Sequence, residues 1–266
     1  MEEQDKDFAP EKDAMTLHAR YAWIAAAGLA ALLCAAAWFM AGPPAWRTAP
    51  IYMFHRLDAQ PRDKWTLTPA DFERRIAALR DAGYTSVTPA EIVRHLRFGA
   101  RLPRKACVIT FDDGNASVLR EAAPILERYG FRAVVYLVTG ALAESGAARG
   151  EIEGAPALTW PEVCAMRASG RFVLGGHSVH HLHLDRCADP EAEIRGCAEA
   201  IERHTGVRPD SFAYPYGAAA EQPAIRKLIR EAGFTSAMTV ADHPAKLRRL
   251  FTDPLRLPRV WAVPDQ

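Results

Sequence analysis

The feature that most constrains the fold of this chain is an alternation, from residue 51 onward, of short apolar runs with amphipathic segments. About seven such pairs follow one another without a break in composition. The run 106–111, ACVITF, is apolar throughout, as expected of a strand buried on both faces. Residues 68–83 place Phe72 and Ile76 on one helical face. The pattern predicts one α/β domain with a mostly parallel sheet, and seven or eight strands favour a closed or distorted barrel.

The N-terminal part of the chain is organised differently, because no charged side chain occurs from Tyr21 to Trp46. A stretch of this length can cross the hydrocarbon layer of a membrane, which takes about 20 residues. A cleaved signal peptide and a buried core helix are the alternatives, but the run is longer than a usual signal-peptide core and follows an acidic leader. We therefore expect a single-pass protein of the cytoplasmic membrane, with its globular domain on the outer side. The expected divisions are a polar tail over 1–20, a transmembrane anchor over 21–41, a linker over 42–50 and the globular domain over 51–266.

The charge balance argues against nucleic acid as a partner. The chain has 33 Lys and Arg against 32 Asp and Glu, whereas a phosphate-binding surface usually shows as a basic excess. The five cysteines include no CxxC and do not decide the compartment. Outside the cytoplasm Cys187 and Cys197 could form a disulfide, and free, partly buried thiols are the alternative.

Two adjacent aspartates, Asp112 and Asp113, end the apolar run in the stretch VITFDDGNAS (108–117). In α/β barrels the reactive groups lie at the carboxyl ends of the strands and on the loops that follow. One aspartate here would be ordinary turn or cap chemistry. Two adjacent carboxylates indicate a division of labour, in which one holds a ligand and the other reacts.

Four histidines fall within seven residues in GGHSVHHLHL, after the strand predicted at 171–175. His177 and His181 are four residues apart, so both can reach one metal ion if the segment turns helically. We interpret His180 and His183 as bystanders. This density of histidines predicts a metal site rather than four unrelated structural residues.

A third stretch, FAYPYG (212–217), ends a predicted strand in a tight turn shaped by Pro215 and Gly217. The turn can present the backbone N–H of Tyr216 to a ligand oxygen, with Tyr214, Pro215 and Gly217 as candidate substrate contacts. Strands that end in a Pro–Gly turn are common, so this stretch is weak when taken alone.

Together the three stretches predict a mononuclear metal site with an open position for water. Asp113, His177 and His181 supply one carboxylate and two imidazoles, and three protein ligands are typical of a catalytic rather than a structural site. A divalent ion lowers the pKa of bound water to about 7. Asp112 is then the candidate general base that accepts the proton of that water.

These motifs make the chain similar to the NodB-like polysaccharide deacetylases, carbohydrate esterase family 4. TFDDG (110–114) matches the first motif of that family, HSVHH (177–181) its H-[S/T]-x-x-H motif, and PYG (215–217) the end of its third motif. The resemblance covers roughly residues 51 to 262. The opening MFHRL…FERRIAALRDAGY resembles the branch that acts on exported poly-N-acetylglucosamine.

The resemblance implies a distorted (β/α) barrel of about seven parallel strands, a divalent metal, and hydrolysis of N-acetyl groups from an amino sugar with release of acetate. Zinc is the expected metal, with cobalt or nickel as alternatives. The implied roles are general base for Asp112, metal ligands for Asp113, His177 and His181, and oxyanion donor for the Tyr216 amide.

Two positions depart from the family pattern. Ala213 stands where the family usually has an arginine that orients the base, and Arg259 in LPRV is the candidate substitute. The histidine that serves the family as general acid, in an L-x-H setting, has no counterpart here. His55, at the end of the first strand, and His243, in ADHPAK, are equal candidates for that role.

The main hypothesis is a membrane-anchored, metal-dependent N-deacetylase of a poly-N-acetylglucosamine-like exopolysaccharide. Deacylation of peptidoglycan or of a lipid-linked amino sugar would use the same residues on another substrate. The third hypothesis is a non-catalytic sugar-binding module on the same fold. Ala213 and the missing acid support that module, whereas the intact TFDDG and HSVHH argue against it.

Overall fold

The structure, a computed structural model, describes residues 12–41, 47–241 and 243–261. It divides the chain into two compact units, Met1–Ala45 and Trp46–Gln266. In the first unit Lys12–Ala41 forms helix α1. Among the described residues, no helix is both long enough and apolar enough to cross a membrane. The transmembrane anchor predicted over 21–41 is therefore not supported.

The second unit is built on parallel strands that close into a barrel. In chain order the described strands are β1 (Arg47–Ala49), β2 (Ile51–Phe54), β3 (Arg56–Leu57), β4 (Thr66–Leu67), β5 (Thr85–Ser86), β6 (Ala106–Phe111), β7 (Ala133–Leu137), β8 (Glu151–Ile152), β9 (Ala155–Pro156), β10 (Phe172–Gly176), β11 (Ser211–Ala213), β12 (Ser236–Ala241), β13 (Ala245–Leu247) and β14 (Leu257–Trp261). Strands β2, β14, β12, β11, β10, β7 and β6 are neighbours in that order, and β6 pairs with β2 to close the ring. The predicted barrel of about seven parallel strands is confirmed.

Helices cover the outside of the barrel and alternate with its strands. They are α2 (Pro69–Asp81), α3 (Pro89–Phe98), α4 (Ala123–Tyr129), α5 (Trp160–Ala168), α6 (Pro190–Thr205) and α7 (Pro223–Glu231). The hydroxyl of Thr68 accepts the Asp71 N–H at 3.0 Å at the start of α2, and Thr88 with Glu91 forms a capping box at the start of α3. Helix α4 is preceded by a π-helical turn over Val118–Ala122, and Pro124 in its first turn cannot donate to that turn.

Two segments form β-structure outside the barrel. Residues 47–49, predicted as part of a linker, form β1, which pairs antiparallel with β13 of the domain. The segment 139–158 contains the β8–β9 hairpin. Arg149 anchors this segment through hydrogen bonds of 2.7 and 2.8 Å to the Glu162 carboxylate.

Strand β6 is buried at every position, and its alternating side chains serve two cores. Cys107 and Ile109 pack outward with Phe72 of α2, while Val108 packs inside the barrel with Leu257. Because the even-numbered residues face the interior, Asp112 continues the row that Val108 and Thr110 begin, and we conclude that it faces the barrel mouth.

Cys187 and Cys197 are both free thiols in this fold. Cys197 is fully buried, with its Sγ donating to the Leu137 carbonyl at 3.6 Å, whereas Cys187 is half-buried. Of the two alternatives, the structure therefore shows the free thiols.

Candidate active site

A cavity of about 430 Å³ lies at the carboxyl ends of the barrel strands. Its walls come from the ends of β2, β6, β10, β12 and β14 and from the loops that follow them. The lining residues include most side chains that the sequence singles out: His55, Asp112, Asp113, His177, His181, Tyr214, Tyr216, Gly217 and Arg259. The cavity brings together residues that lie up to 208 positions apart in the sequence, since Met53 and Trp261 both contribute.

Asp113, His177 and His181 form a compact cluster at the cavity floor. One ligand atom from each lies within 4.8 Å of the others. Asp113 Oδ1 is 3.6 Å from His177 Nε2 and 3.7 Å from His181 Nε2. Oxygen and nitrogen ligands bind zinc at about 2.0–2.2 Å. Two ligand atoms of a tetrahedral zinc ion therefore lie only slightly closer together than the 3.6 and 3.7 Å seen here.

The donor atoms of this cluster fit a divalent cation. Asp113 Oδ1 is buried and accepts no hydrogen bond within the described part of the chain. A buried carboxylate oxygen without a partner is costly unless something else satisfies it. A cation shared with two neutral imidazoles meets that need, and three protein ligands leave a position open.

The ring of His177 is held by the backbone of the next strand. Its Nδ1 donates to the Ala213 carbonyl at 2.8 Å, because a carbonyl can only accept. That bond leaves the Nε2 lone pair facing Asp113. Burial lowers the pKa of His177 to about 3, so the ring is neutral at physiological pH, the form that ligates a metal.

Backbone conformation at the site is unusual for residues with side chains. Asp113, Ser178, His181 and Tyr216 all have positive φ, between 58° and 70°. Each such residue is held at some cost by its surroundings, and such residues concentrate at functional sites. At His181 the surroundings include Ser178, whose hydroxyl accepts the His181 N–H at 2.8 Å.

Asp112 is paired with Arg259 beneath the cluster. Arg259 Nη1 and Nη2 donate to the two Asp112 oxygens at 2.5 and 2.7 Å, and both side chains are almost fully buried. Burial alone would raise the pKa of Asp112, but the Arg259 charge, with His177 and His55 beside it, lowers it below the usual range. The structure thus brings Arg259 to Asp112, the predicted general base, which is the contact that the sequence predicts in place of Ala213.

The adjacent carboxyl group experiences the opposite electrostatics. Burial, and then the charges of Asp112 and Glu153, raise the pKa of Asp113 to about 7. Asp112 has an arginine partner, whereas no guanidinium among the described residues forms a salt bridge with Asp113. A bound cation would remove the repulsion that Asp113 experiences.

The Pro215–Gly217 turn places Tyr216 beside the histidines. The Gly217 N–H donates to the Tyr214 carbonyl at 2.9 Å, and the described hydrogen bonds leave the Tyr216 N–H without an acceptor. The Tyr216 ring, which is 55% exposed, lies 4.6 Å from the His181 ring and stacks on His183 at 4.0 Å.

Tyr214 lines the cavity, and its contact with substrate stays a prediction, to which the Tyr214 side chain itself adds little. This side chain is fully buried among apolar residues, and its hydroxyl donates to the Leu255 carbonyl at 2.9 Å. Its ring packs edge-on against the Phe212 ring, with 5.8 Å between the ring centroids. Pro215 is also buried, and it shapes the turn without lining the cavity. Gly217, the third predicted contact, lines the cavity.

The two candidate acids are placed very differently. His55 lines the cavity, and its Nδ1 is buried without a hydrogen-bond partner among the described residues. Burial lowers the pKa of His55 to about 4. His243 is exposed, in the turn between β12 and β13, and does not line the cavity. Of the two candidates, the structure therefore places His55 in the cavity and His243 outside the cavity lining.

Several cavity residues were not predicted from the sequence. Trp65 and Trp261 pack at 4.0 Å between ring centroids, and both lie beside the His55 ring. Glu153, at the tip of the β8–β9 hairpin, lies 3.3 Å from His181 Nδ1, and its carbonyl accepts from Arg56 at 2.7 Å. These residues lie in loops or at a strand end, outside the sequence motifs. The one sequence signal for the tryptophan pair is that a tryptophan occurs near each end of the domain.

Comparison with known proteins identifies a matching family. The family model described as polysaccharide deacetylase matches residues 99–237. Over 83 residues the chain is 34% identical to the poly-β-1,6-N-acetyl-D-glucosamine N-deacetylase of Escherichia coli K12. That alignment covers 30% of this chain and 12% of the relative.

Solved structures share the fold over nearly the whole domain. The Streptococcus pyogenes deacetylase PplD, in complex with acetate, superposes with a TM-score of 0.72 at 21% identity, over 84% of this chain and 95% of that one. IcaB from Ammonifex degensii superposes with a TM-score of 0.70 at 26% identity, over 82% of this chain and 93% of that one.

Proposed function

The chain belongs to the polysaccharide deacetylase family, and on that premise we propose that it is a metal-dependent N-deacetylase of a β-linked N-acetylglucosamine polymer. The observation that carries the proposal is the pairing of two different carboxylates at one cavity. Asp113 shares a cation-sized cluster with two histidines, while Asp112 is fixed by Arg259 next to it.

The division of labour follows from those surroundings. Asp113, His177 and His181 would hold a divalent ion, which acts as a Lewis acid and lowers the pKa of water bound to it. Asp112 remains ionised across physiological pH because Arg259 neutralises it, so it is ready to accept a proton from the attacking water. Asp112 Oδ2 lies 3.9 Å from His177 Nε2, which places it at the edge of the cluster.

The remaining groups serve the amide. The unpartnered Tyr216 N–H is available to the oxyanion that forms as water adds to the acetyl carbonyl. When the carbon–nitrogen bond breaks, the leaving nitrogen needs a proton, and His55 is the cavity histidine outside the ligand cluster. Its pKa is about 4, so His55 is neutral at physiological pH before substrate binds. In the substrate complex, His55 would receive the proton that Asp112 takes from water and would pass it to the leaving nitrogen.

The identity of the substrate is supported by two observations. The aligned relative from E. coli is named for deacetylation of poly-β-1,6-N-acetyl-D-glucosamine. The mouth of the cavity carries exposed aromatic faces on both sides, Trp65 at 38% and Tyr216 at 55% exposure. Flat apolar rings complement the C–H faces of pyranoses, and the polar rim suits their hydroxyl groups.

Acetate release by the full chain tests the proposal. β-1,6-linked N-acetylglucosamine oligomers should release acetate when zinc, cobalt or nickel is present, and chelation should abolish the release. Peptidoglycan fragments and lipid-linked N-acetylglucosamine, tested in parallel, should react more slowly. Acetate from those substrates alone would reassign the substrate, and tight oligomer binding without acetate under any metal would favour a sugar-binding module.

A further inference from the structure

We propose that the end of the barrel opposite the cavity is a docking surface for an anionic lipid membrane. This surface, called here the basic face, consists of the segments 93–105 and 244–252 together with Arg47. The two segments contain eight Lys and Arg, five in the first and three in the second, and no Asp or Glu. The chain as a whole is almost neutral, at +1, so the basic face is a local separation of charge.

Backbone and side-chain contacts make the two segments one surface. Arg47 pairs with Leu247 in the β1–β13 ladder and donates through Nη1 to the Leu102 carbonyl at 3.0 Å. The Leu250 N–H donates to the Leu96 carbonyl at 3.2 Å. The guanidinium of Arg249 lies against Gly99.

Large apolar side chains project from the middle of this basic face. Phe98 is 75% exposed, Leu250 63% and Phe251 66%. Exposed aromatic and aliphatic side chains grouped together usually mark an interaction site rather than ordinary surface. The Arg248 guanidinium lies 4.0 Å from the Phe251 ring centroid, so charge and apolar surface are interleaved.

The charge on this face is directed to solvent. Arg47, Arg94, Arg97, Arg101, Arg104, Lys105 and Lys246 are all exposed. Two described acidic residues that flank the segments are engaged elsewhere: Glu91 pairs with Arg132 at 2.9 Å, and Asp253 with Arg226 at 3.7 Å. The partner that complements the face must therefore be anionic.

A lipid surface fits this combination better than a soluble polyanion. Basic side chains are attracted to anionic headgroups, while phenylalanine and leucine side chains insert at the boundary between headgroups and acyl chains. A soluble polyanion would pair with the guanidinium groups and leave Phe98, Leu250 and Phe251 in water. The exposed apolar side chains among the basic residues therefore favour a bilayer over a soluble polyanion.

The location of the face is compatible with catalysis. The segment 99–105 leads into the start of β6, β1 leads into β2, and the chain after β13 leads into β14. The starts of parallel strands lie at one end of a barrel, and the cavity lies at the other. Docking through the basic face would leave the cavity open and directed away from the lipid.

Hydrogen–deuterium exchange of the full chain with vesicles tests the proposal locally. With phosphatidylglycerol vesicles, the amides of 97–104 and 248–252 should become protected, while those of 178–184 at the cavity should not. Phosphatidylcholine vesicles should give little protection. Unprotected 97–104 and 248–252 on phosphatidylglycerol would overturn the proposal, even if α1 itself binds the vesicles. Protection by soluble polyglutamate alone would assign the face to a polymer and overturn the lipid assignment.

A matched pair of variants separates this face from general charge. The triple variant Arg97→Gln, Arg101→Gln and Arg104→Gln should need at least ten times more phosphatidylglycerol vesicles to reach half-maximal protection. The control Arg74→Gln, Arg120→Gln and Arg186→Gln removes the same charge from exposed side chains elsewhere and should change nothing. Equal effects of the two triple variants would contradict the assignment. Replacing Phe98, Leu250 and Phe251 by serine should weaken protection with charge unchanged.

Discussion

The floor and the rim of the cavity are built by different means. The floor, which comprises Asp112, Asp113, His177 and Arg259, is almost fully buried and joined by hydrogen bonds and ion pairs across four strands. The rim carries the exposed rings of Trp65 and Tyr216 and the half-exposed Glu153 on loops and turns. Burial and hydrogen bonds hold the side chains of the floor in place, and in the proposed function these side chains carry out the reaction. The rim determines what can approach it.

The largest effect is expected at the floor, from Asp112→Asn. The amide keeps the shape but cannot accept the proton of water, so acetate release should fall about 10²- to 10⁴-fold. Acetate release from β-1,6-linked oligomers is the measurement, with Asp71→Asn on the exposed start of α2 as the control. Turnover within a few-fold of wild type would remove Asp112 from the role of base.

Arg259→Met should reduce both turnover and stability, because it leaves the Asp112 charge buried without its partner. Breaking a buried ion pair typically costs about 3–5 kcal/mol, a cost that the free energy of unfolding in urea would show. Arg256→Met is the matched control, since Arg256 is exposed and pairs with Glu221 on the surface. Combining Arg259→Met with Asp112→Asn should restore much of the loss in stability and none of the turnover. Equal stability of the two single variants would show that the buried pair is not what fixes the floor.

A smaller effect is expected at the rim, where Trp65→Ala removes one aromatic wall. KM for the oligomer should rise about 2- to 10-fold, in line with the energies of aromatic contacts, with kcat nearly unchanged. Trp65→Phe should restore most of the affinity. A loss of kcat without a change in KM would mean that Trp65 belongs with the floor, through its contact with His55.

A pH dependence of stability, which changes no contact with substrate, is expected from His55. Its folded-state pKa of about 4 lies below the unfolded value near 6.5, so the unfolded chain binds the extra proton between these values. The contribution is therefore lost as pH falls from about 6.5 to 4. Melting of the chelated protein across this range should show a larger loss for wild type than for His55→Gln. Parallel curves would mean that His55 is not buried as neutral imidazole.

The floor could be predicted from the sequence because its residues occur in contiguous motifs. TFDDG and HSVHH each place their side chains through local backbone geometry, and strand alternation aims Asp112 inward. Arg259 was predicted because a missing arginine required a substitute near the last strand. The barrel itself followed from the alternation of elements.

Apart from Tyr216, the rim could not be predicted, because its contacts join distant loops. Nothing local to Trp65 indicates that Trp261 will pack against it, and Glu153 reaches His181 only because the β8–β9 hairpin brings it there. The position of His243 could not be predicted either, because the sequence does not show whether a residue in the turn after β12 faces the cavity or, as here, solvent. The basic face was missed for the same reason, since its two segments are about 140 residues apart. The outer-side localisation stays a prediction.

The division of labour between the adjacent aspartates is tested most directly by metal stoichiometry. Metal content of the full chain after zinc loading and dialysis should be near one ion per chain for wild type and for Asp112→Asn, and close to zero for Asp113→Asn. Both variants should lose acetate release. If Asp113→Asn retained the ion, or if Asp112→Asn lost it, the two carboxylates would not divide holding and reacting between them.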